Sequence, residues 1–203
     1  MQKSKERDKS KKRDSILEGA EDVFINMGFE AASMDKIAEQ AGVSKRTVYN
    51  HFGSKENLFE VIVDNLLAER QNLNPIKYDS EKPLKDQLRA FAESEIFLID
   101  SPRRLELSRF LTVTFLKDLE FQRRTVSKYP PVYGIFMEWL REAHADSKIV
   151  SDNLILTARV FYALVVGAIT WPALFTYGIK RDDIKPMLDE IISVFLEKYG
   201  NDD

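Results

Sequence analysis

Apolar residues recur along most of the chain at the spacing of amphipathic helices. The first helical stretch carries one apolar face, formed by Ile16, Leu17, Ala20, Val23, Phe24 and Met27. Gly28 follows as a helix stop, because glycine readily adopts the left-handed conformation that ends many helices. Later helices are predicted at about 84–100, 102–116, 120–128, 132–145, 152–177 and 184–199. We find no strand pattern, so the predicted fold class is all-α, with about nine or ten helices.

The segment QNLNPIKYDSEKP, at 71–83, interrupts this pattern with prolines and polar residues. We therefore predict a smaller N-terminal domain at 13–72 and a larger C-terminal domain at 73–203. Residues 1–12 are strongly basic and are predicted to form a flexible arm. The lysines of this arm either confer solubility or add salt-dependent, sequence-independent affinity for a polyanion.

Two short helices within the N-terminal domain form a recognisable pattern. Ser33 is placed to cap the first helix and Ser44 the second. Gly42 supplies the turn between them, and Val48 with Phe52 gives the second helix a narrow apolar underside. This is the helix-turn-helix pattern, whose second helix enters the major groove of DNA. Because a short turn can show such a pattern by accident, the outward face of the second helix decides the matter.

Cations stand at the start of two helices in the stretch SKRTVYNHFGSKENLF. Lys45 and Arg46 follow the cap Ser44, and Lys55 follows a second cap, Ser54. A helix N-terminus carries roughly half a positive charge, so cations are unfavourable there in an isolated helix. A docked polyanion reverses that sign, because DNA phosphate and the acceptor-rich edge of guanine attract cations. The alternative is that these cations are ordinary solvated surface groups.

The segment at 28–59, GFEAASMDKIAEQAGVSKRTVYNHFGSKENLF, resembles the DNA-binding segment of the TetR/AcrR family of bacterial transcriptional regulators. Lys45, Arg46 and Thr47 match the positions at which that family most often reads bases. The resemblance covers roughly residues 13–70 and implies an all-α protein with helix-turn-helix domain 13–72. It also implies a homodimer that represses transcription from a double-stranded DNA operator until a small ligand binds the C-terminal domain.

The same resemblance implies further contacts to the DNA backbone. Tyr49 and His51 match an aromatic-x-His element that grips phosphate, although the tyrosine could instead cover an apolar edge and the histidine could be structural. Asn50 departs from the pattern, since an aromatic residue is common there, and its role stays open between phosphate and a base edge. The predicted DNA-binding residues are Ser33, Ser44, Lys45, Arg46, Thr47, Tyr49, Asn50, His51 and Lys55.

Composition narrows the class of protein further. The 203 residues are 44% hydrophobic and 31% charged, with a formal net charge of -3 and no cysteine, so disulfides and thiolate metal sites are excluded. No signal peptide is visible. The apolar run at 160–175 falls short of the roughly 18–20 residues of a membrane span. The expected location is cytoplasmic, without a membrane partner.

The last two predicted helices are candidates for a dimer interface. The helix at 152–177 is apolar on every face from Val160 onward, which predicts that both of its sides are covered. The final helix has a broad apolar stripe, formed by Ile184, Met187, Leu188, Ile191, Ile192, Phe195 and Tyr199. These helices could meet their symmetry copies in a four-helix interface, or be covered within a monomer.

Aromatic side chains are plentiful beyond the linker, and most are expected in the core. A few of them, with some polar groups, could line a cavity for an apolar or aromatic effector. The predicted ligand-binding residues are Phe110, Thr114, Tyr133, Met137, Tyr162 and Trp171.

Catalysis finds little support in the sequence. The chain has no cysteine nucleophile, its histidines are His51 and His144, and no glycine-rich phosphate loop follows a strand. Glu142, His144 and Asp146 do not stack on one helical face, so no metal site or cofactor is predicted. The predicted function is a homodimeric repressor released by a ligand; the alternatives are an activator, a ligand-independent regulator, or a helical adaptor that binds protein.

Overall fold

A computed structural model describes residues 2–72, 76–127, 134–176 and 179–201. These residues form ten helices, with one isolated bridge between Ile149 and Gly200 and no strand in the described ranges. The predicted all-α fold is confirmed. The helices are α1 (Gln2–Ala31), α2 (Met34–Gln40), α3 (Lys45–Phe52), α4 (Lys55–Asn72), α5 (Leu84–Ile96), α6 (Pro102–Lys117), α7 (Leu119–Val126), α8 (Gly134–Ala145), α9 (Leu154–Phe175) and α10 (Arg181–Tyr199). Helix α9 contains a π-helical stretch, Val166–Thr170.

Helix α1 differs from its prediction at both ends. It begins at Gln2, so residues expected to form a flexible arm have helical backbone. Lysine, arginine, glutamate and glutamine are good helix formers, which explains why this basic segment continues the helix. Near the other end Gly28 has φ 78 and ψ 165, a kink at the predicted stop.

The chain divides into two compact units. The first unit contains the residues up to Glu69 together with Arg109–Val126, and the second contains Arg70–Ser108 and the residues from Ser127 onward. The division therefore does not follow the linker alone. Helix α6 is continuous through the change of unit between Ser108 and Arg109.

An aromatic cluster holds the first unit together, and we define it as Phe24, Phe29, Phe59, Phe110, Phe115 and Phe121. Phe59 of α4 is fully buried at its centre. Its ring centroid lies 5.0 Å from that of Phe121 and 5.7 Å from that of Phe110. Phe110 also stacks on Phe24, with centroids 5.6 Å apart. Helices α6 and α7 thus complete a core that the N-terminal helices begin.

The second unit has its own core, built from α5, α8, α9 and α10. Phe136, Trp139 and Phe161 are among its fully buried residues. The buried Gln87 accepts a hydrogen bond from Trp139 Nε1 at 2.9 Å and donates to the carbonyls of Asp79 and Lys82. Part of the predicted linker is therefore fixed to this unit.

Helix α9 is long and apolar enough to cross a membrane by length and composition alone. Its 22 residues include a window of mean hydropathy 1.8, of which 28% is buried within the chain. The apolar run at 160–175 is the later part of this helix, which begins at Leu154. Ala158, Phe161, Val165 and Ile169 on one side of the helix are fully buried in the core of the second unit.

Candidate nucleic-acid interface

Serine side chains cap the two short helices of the N-terminal domain. The Ser33 hydroxyl accepts a hydrogen bond from the Lys36 N–H at 3.3 Å, at the start of α2. Ser44 accepts from the Thr47 N–H at 3.2 Å, and its oxygen lies 2.8 Å from the Thr47 hydroxyl. Each cap satisfies an N–H group that has no partner within its helix, which fixes where the helix begins.

The turn between α2 and α3 has the conformation that its glycine predicts. Gly42 has φ 64, in the left-handed region that glycine adopts without strain. Val48 and Phe52 are buried on the underside of α3. The guanidinium carbon of Arg13 lies 5.5 Å from the Phe52 ring centroid, so a basic side chain of α1 also supports this helix.

Helices α1 and α2 approach each other closely. A Cβ atom added to Gly19 would lie 3.0 Å from the backbone nitrogen of Ala41 and 3.1 Å from its Cβ. Only glycine therefore fits at this crossing without a shift of the helices. The close packing holds α2, and with it the turn into α3, against the body of the first unit.

The outward face of α3 is polar and accessible. Thr47 and His51 are half-buried, and the Thr47 hydroxyl already belongs to the cap. Tyr49 is 43% exposed despite its size. The exposed members of the predicted DNA-binding set on this face are Ser44, Lys45, Arg46, Tyr49 and Asn50.

Lys45 has a partner within the chain. Its Nζ lies 2.8 Å from Oδ1 and 3.0 Å from Oδ2 of Asp35, which belongs to the first turn of α2. The hydrogen bond to this carboxylate, and then its charge, raise the pKa of Lys45 above its usual value. The unfavourable position of Lys45 at a helix start is therefore offset inside the protein, by a partner that the sequence analysis did not predict.

Lys55 is also compensated, but by the backbone. Its Nζ donates to the carbonyl oxygen of Phe29 at 2.7 Å and to that of Ala32 at 3.1 Å, and lies 4.4 Å from the Phe29 ring centroid. These carbonyls close the end of α1, where a cation is favourable. The inference that its position implies an external anion was therefore wrong, while its contact with DNA stays a prediction.

Of the six residues predicted to bind a ligand, the structure describes five, and they are divided between the two units. Phe110 and Thr114 belong to the first unit, where Phe110 is in the aromatic cluster. Met137 and Tyr162 belong to the core of the second unit. Trp171 is 42% exposed and stacks on the exposed Phe175. Tyr133 lies outside the described residues. Helical spacing in the sequence shows which residues share a helix face, but not which unit that face joins.

Sequence reasoning missed the roles of Asp35 and Arg13. Asp35, an acid in the first turn of α2, is not among the predicted site residues, yet the structure places it against Lys45, ten residues later. Arg13, the first residue of the predicted N-terminal domain, was assigned no role, whereas it lies over Phe52. The sequence did carry a signal for Asp35. An acid at the start of the first helix and a cation at the start of the second can be brought together by helix-turn-helix geometry.

Two short helices with serine caps, joined by a turn at Gly42, present an accessible polar face on the second helix. This arrangement is that of DNA-binding proteins of the helix-turn-helix class. The chain matches the model of bacterial regulatory proteins of the tetR family over residues 16–62. It also matches the model of the AefR-like transcriptional repressor C-terminal domain over residues 86–201. The chain belongs to the TetR family, and it is a transcriptional regulator, not an enzyme.

Relatives in both sequence and structure agree with this assignment. The HTH-type transcriptional activator FasR of Mycolicibacterium smegmatis is 36% identical over 87 residues, which cover 41% of this chain and 40% of FasR. The HTH-type transcriptional repressor AcnR of Corynebacterium glutamicum is 33% identical over 99 residues, 49% of this chain and 50% of AcnR. A TetR family transcriptional regulator from Pseudomonas syringae pv. tomato superimposes with a TM-score of 0.76 at 27% identity, over 93% of this chain and 96% of that one.

The match to FasR and AcnR spans 40% to 50% of their length. One of these relatives is an activator and the other a repressor. The sign of regulation, the assembly and the effector of this chain are therefore matters for a proposal.

Proposed function

We propose that this protein is a cytoplasmic, homodimeric repressor that binds a DNA operator through α3 and is released by a small apolar or aromatic effector. The observation that supports it best is the outward face of α3, where Lys45, Arg46, Tyr49 and Asn50 are exposed on a helix whose underside is buried. Cations there suit phosphate and guanine, and the tyrosine hydroxyl and asparagine amide suit phosphate or base edges. An activator with the same DNA-binding face is the second candidate, because FasR carries that name.

Of the two helices that the sequence suggested for a dimer interface, α9 offers the larger exposed apolar surface. In α10 the apolar stripe faces the core of its own unit, since Leu188, Ile191, Ile192 and Phe195 are buried there. Helix α9 instead leaves large apolar side chains exposed at both ends: Ile155 is 59% and Phe175 76% exposed.

Small residues lie between the two ends of this exposed face. Ala163 and Gly167 are exposed, and a Cβ atom added to Gly167 would meet nothing within 4 Å. This face also carries the exposed Arg159, between Ile155 and Ala163. A small central part allows a second helix to approach closely there. We therefore propose that α9 packs against α9 of a second copy.

The effector site is proposed in the core of the second unit. Tyr162 is partly buried there, with its ring edge against Phe136 at 5.8 Å between centroids. The Thr170 hydroxyl, in the π-helical stretch, is buried without a hydrogen-bond partner in the described part of the chain. A buried hydroxyl without a partner is costly, and a ligand that accepts its hydrogen bond would remove that cost.

The DNA-binding proposal is tested with duplexes selected from a random pool by the purified protein. Fluorescence anisotropy should show that Lys45→Ala and Tyr49→Phe each weaken binding by about five- to 150-fold. Lys85→Ala, at an exposed position of α5 in the second unit, is the control for loss of a positive charge and should bind like the wild type. Retention of full affinity by both α3 variants would refute the proposal.

A further inference from the structure

Two exposed residues of α3 lie almost directly opposite its buried underside. An α-helix turns by about 100° per residue, so residues two positions apart lie about 160° from each other around the helix axis. Arg46 and Asn50 each stand two positions from Val48, which is fully buried, and both are exposed. Because they are four positions apart, they share one face of the helix. This face meets the base edges when a helix with this underside lies in the major groove.

Lys45 and Tyr49 lie on one flank of α3 instead. Around the helix axis Lys45 is about 60° from Val48, and Tyr49 is about 100° from it on the same side. The structure places them together, since Lys45 Nζ lies 5.9 Å from the Tyr49 ring centroid. A helix about 10–12 Å across nearly fills a major groove about 12 Å wide, so its flanks face the phosphates of the groove walls. This flank therefore suits contacts to the DNA backbone.

Hydrogen bonds within the protein separate the same two groups. Lys45 Nζ is bound to Asp35 at 2.8 Å, and the Thr47 hydroxyl lies 2.8 Å from that of Ser44. In contrast, no residue that the structure describes forms a hydrogen bond or ion pair with the Arg46 guanidinium or the Asn50 amide. All the donors and acceptors of these two side chains are therefore available to a base edge.

Arginine and asparagine match the major-groove edges of the two purines. An arginine donates two hydrogen bonds to O6 and N7 of guanine, and an asparagine accepts from N6 and donates to N7 of adenine. Four residues span about 6 Å along a helix axis, and successive base pairs are about 3.4 Å apart. Arg46 and Asn50 are thus spaced to reach bases about two base pairs apart.

We propose that Arg46 reads a guanine and Asn50 an adenine about two base pairs away, while Lys45 and Tyr49 hold the DNA backbone. This inference rests on the proposed DNA-binding function and deepens it. It assigns Asn50 to a base edge, whereas the sequence left its role open between a base and phosphate. It also names two bases that the operator has to contain.

The first test is selection of duplexes from one random pool by the wild type and by each variant, followed by sequencing. The wild type should enrich a guanine and an adenine about two base pairs apart. Arg46→Met should lose the preference for the guanine alone, and Asn50→Ala the preference for the adenine alone. Lys45→Met removes a positive charge from the same helix, and should bind more weakly while keeping both preferences.

The second test addresses single atoms of the selected duplex. Replacing the guanine by 7-deazaguanine, or the adenine by 7-deazaadenine, removes the N7 acceptor and leaves the phosphates unchanged. Each replacement should weaken wild-type binding, measured by fluorescence anisotropy, about twofold or more. Replacing either base pair by another should weaken it about five- to 150-fold. The 7-deazaguanine effect should disappear in Arg46→Met, and the 7-deazaadenine effect in Asn50→Ala.

Matched controls and the contrary outcomes complete the design. Arg141→Ala on α8 and Asn26→Ala on α1 remove the same chemical groups at exposed positions, and should keep wild-type affinity and preferences. If Asn50→Ala weakened binding to all duplexes equally and kept the adenine preference, Asn50 would be a phosphate contact and the proposal would be overturned. A guanine preference that survives in Arg46→Met would overturn it as well. Both results would leave DNA binding by α3 intact, whereas a wild type that enriches no sequence would refute the proposed function itself.

Discussion

The start of α3 and the start of α4 have the same local sequence, a serine cap followed by a lysine, but different surroundings. At α3, Lys45 is held by the exposed carboxylate of Asp35. At α4, Lys55 is held by two backbone carbonyls and lies over the Phe29 ring. Lys45 can exchange a surface carboxylate for a phosphate. If Lys55 left its place, the two carbonyl oxygens at the end of α1 would lose the hydrogen bonds that it donates. The comparison teaches that the same cap and lysine can be compensated in two ways, by a surface carboxylate or by backbone carbonyls. We expect the lysine with the replaceable partner to be the one more available to DNA.

The largest loss of stability is expected at Phe59, which anchors α4 in the aromatic cluster. Phe59, one turn beyond Lys55, is fully buried at the centre of the aromatic cluster. Phe59→Ala should lower the free energy of unfolding by about 3–5 kcal/mol, because it removes contacts and leaves a cavity. Urea denaturation measures the change. Leu116→Ala, at a position in the same unit that is 69% exposed, is the control and should change it by less than about 0.5 kcal/mol. Similar losses in the two variants would mean that the cluster does not anchor α4.

A smaller effect is expected from the lysine of α4. Lys55→Met should destabilise the protein by about 1–3 kcal/mol, because the carbonyls of Phe29 and Ala32 lose a charged donor. Lys45→Met, whose side chain is exposed, should leave the denaturation midpoint unchanged but weaken DNA binding. Equal shifts of the denaturation midpoint in the two variants would contradict the difference between the two lysines. So would an equal loss of DNA affinity, measured under conditions in which both variants are fully folded.

The smallest changes in stability are expected from the two serine caps, whose substitution compares the starts of α3 and α4 directly. Ser44→Ala and Ser54→Ala should each cost about 1 kcal/mol, since each hydroxyl accepts one N–H at a helix start. Only Ser44→Ala should also weaken binding to a selected duplex, because Ser44 lies on the exposed α3 face. Anisotropy titrations of both variants check this difference, and an equal loss of affinity would place the start of α4 in the interface as well.

Local chemistry was well predicted from the sequence. The caps Ser33 and Ser44, the turn at Gly42 and the buried Val48 and Phe52 all depend on residues within a few positions of each other. Such features follow from hydrogen-bonding capacity and helical spacing, which the sequence displays directly.

Partners distant in sequence were not predicted. The pairing of Lys45 with Asp35 and of Lys55 with Phe29 O needs the arrangement of α1, α2 and α4, which periodicity does not supply. The same limit applies to Phe110, whose place in the aromatic cluster was not predicted. Its part in a ligand site stays a prediction. An apolar stripe requires cover, but its pattern does not say which helix, or which copy of the chain, provides it.

The membership of Arg109–Val126 in the first unit has a consequence for protein engineering. A fragment or chimaera cut in the linker, near residue 72, would keep Phe24, Phe29 and Phe59 but discard Phe110 and Phe121, which pack on them. Such a graft would expose an unfinished aromatic surface and would be prone to aggregate. The unit that contains the helix-turn-helix is built from two separate segments of the sequence. An exchange of this unit between regulators therefore has to include Arg109–Val126 as well as the N-terminal segment.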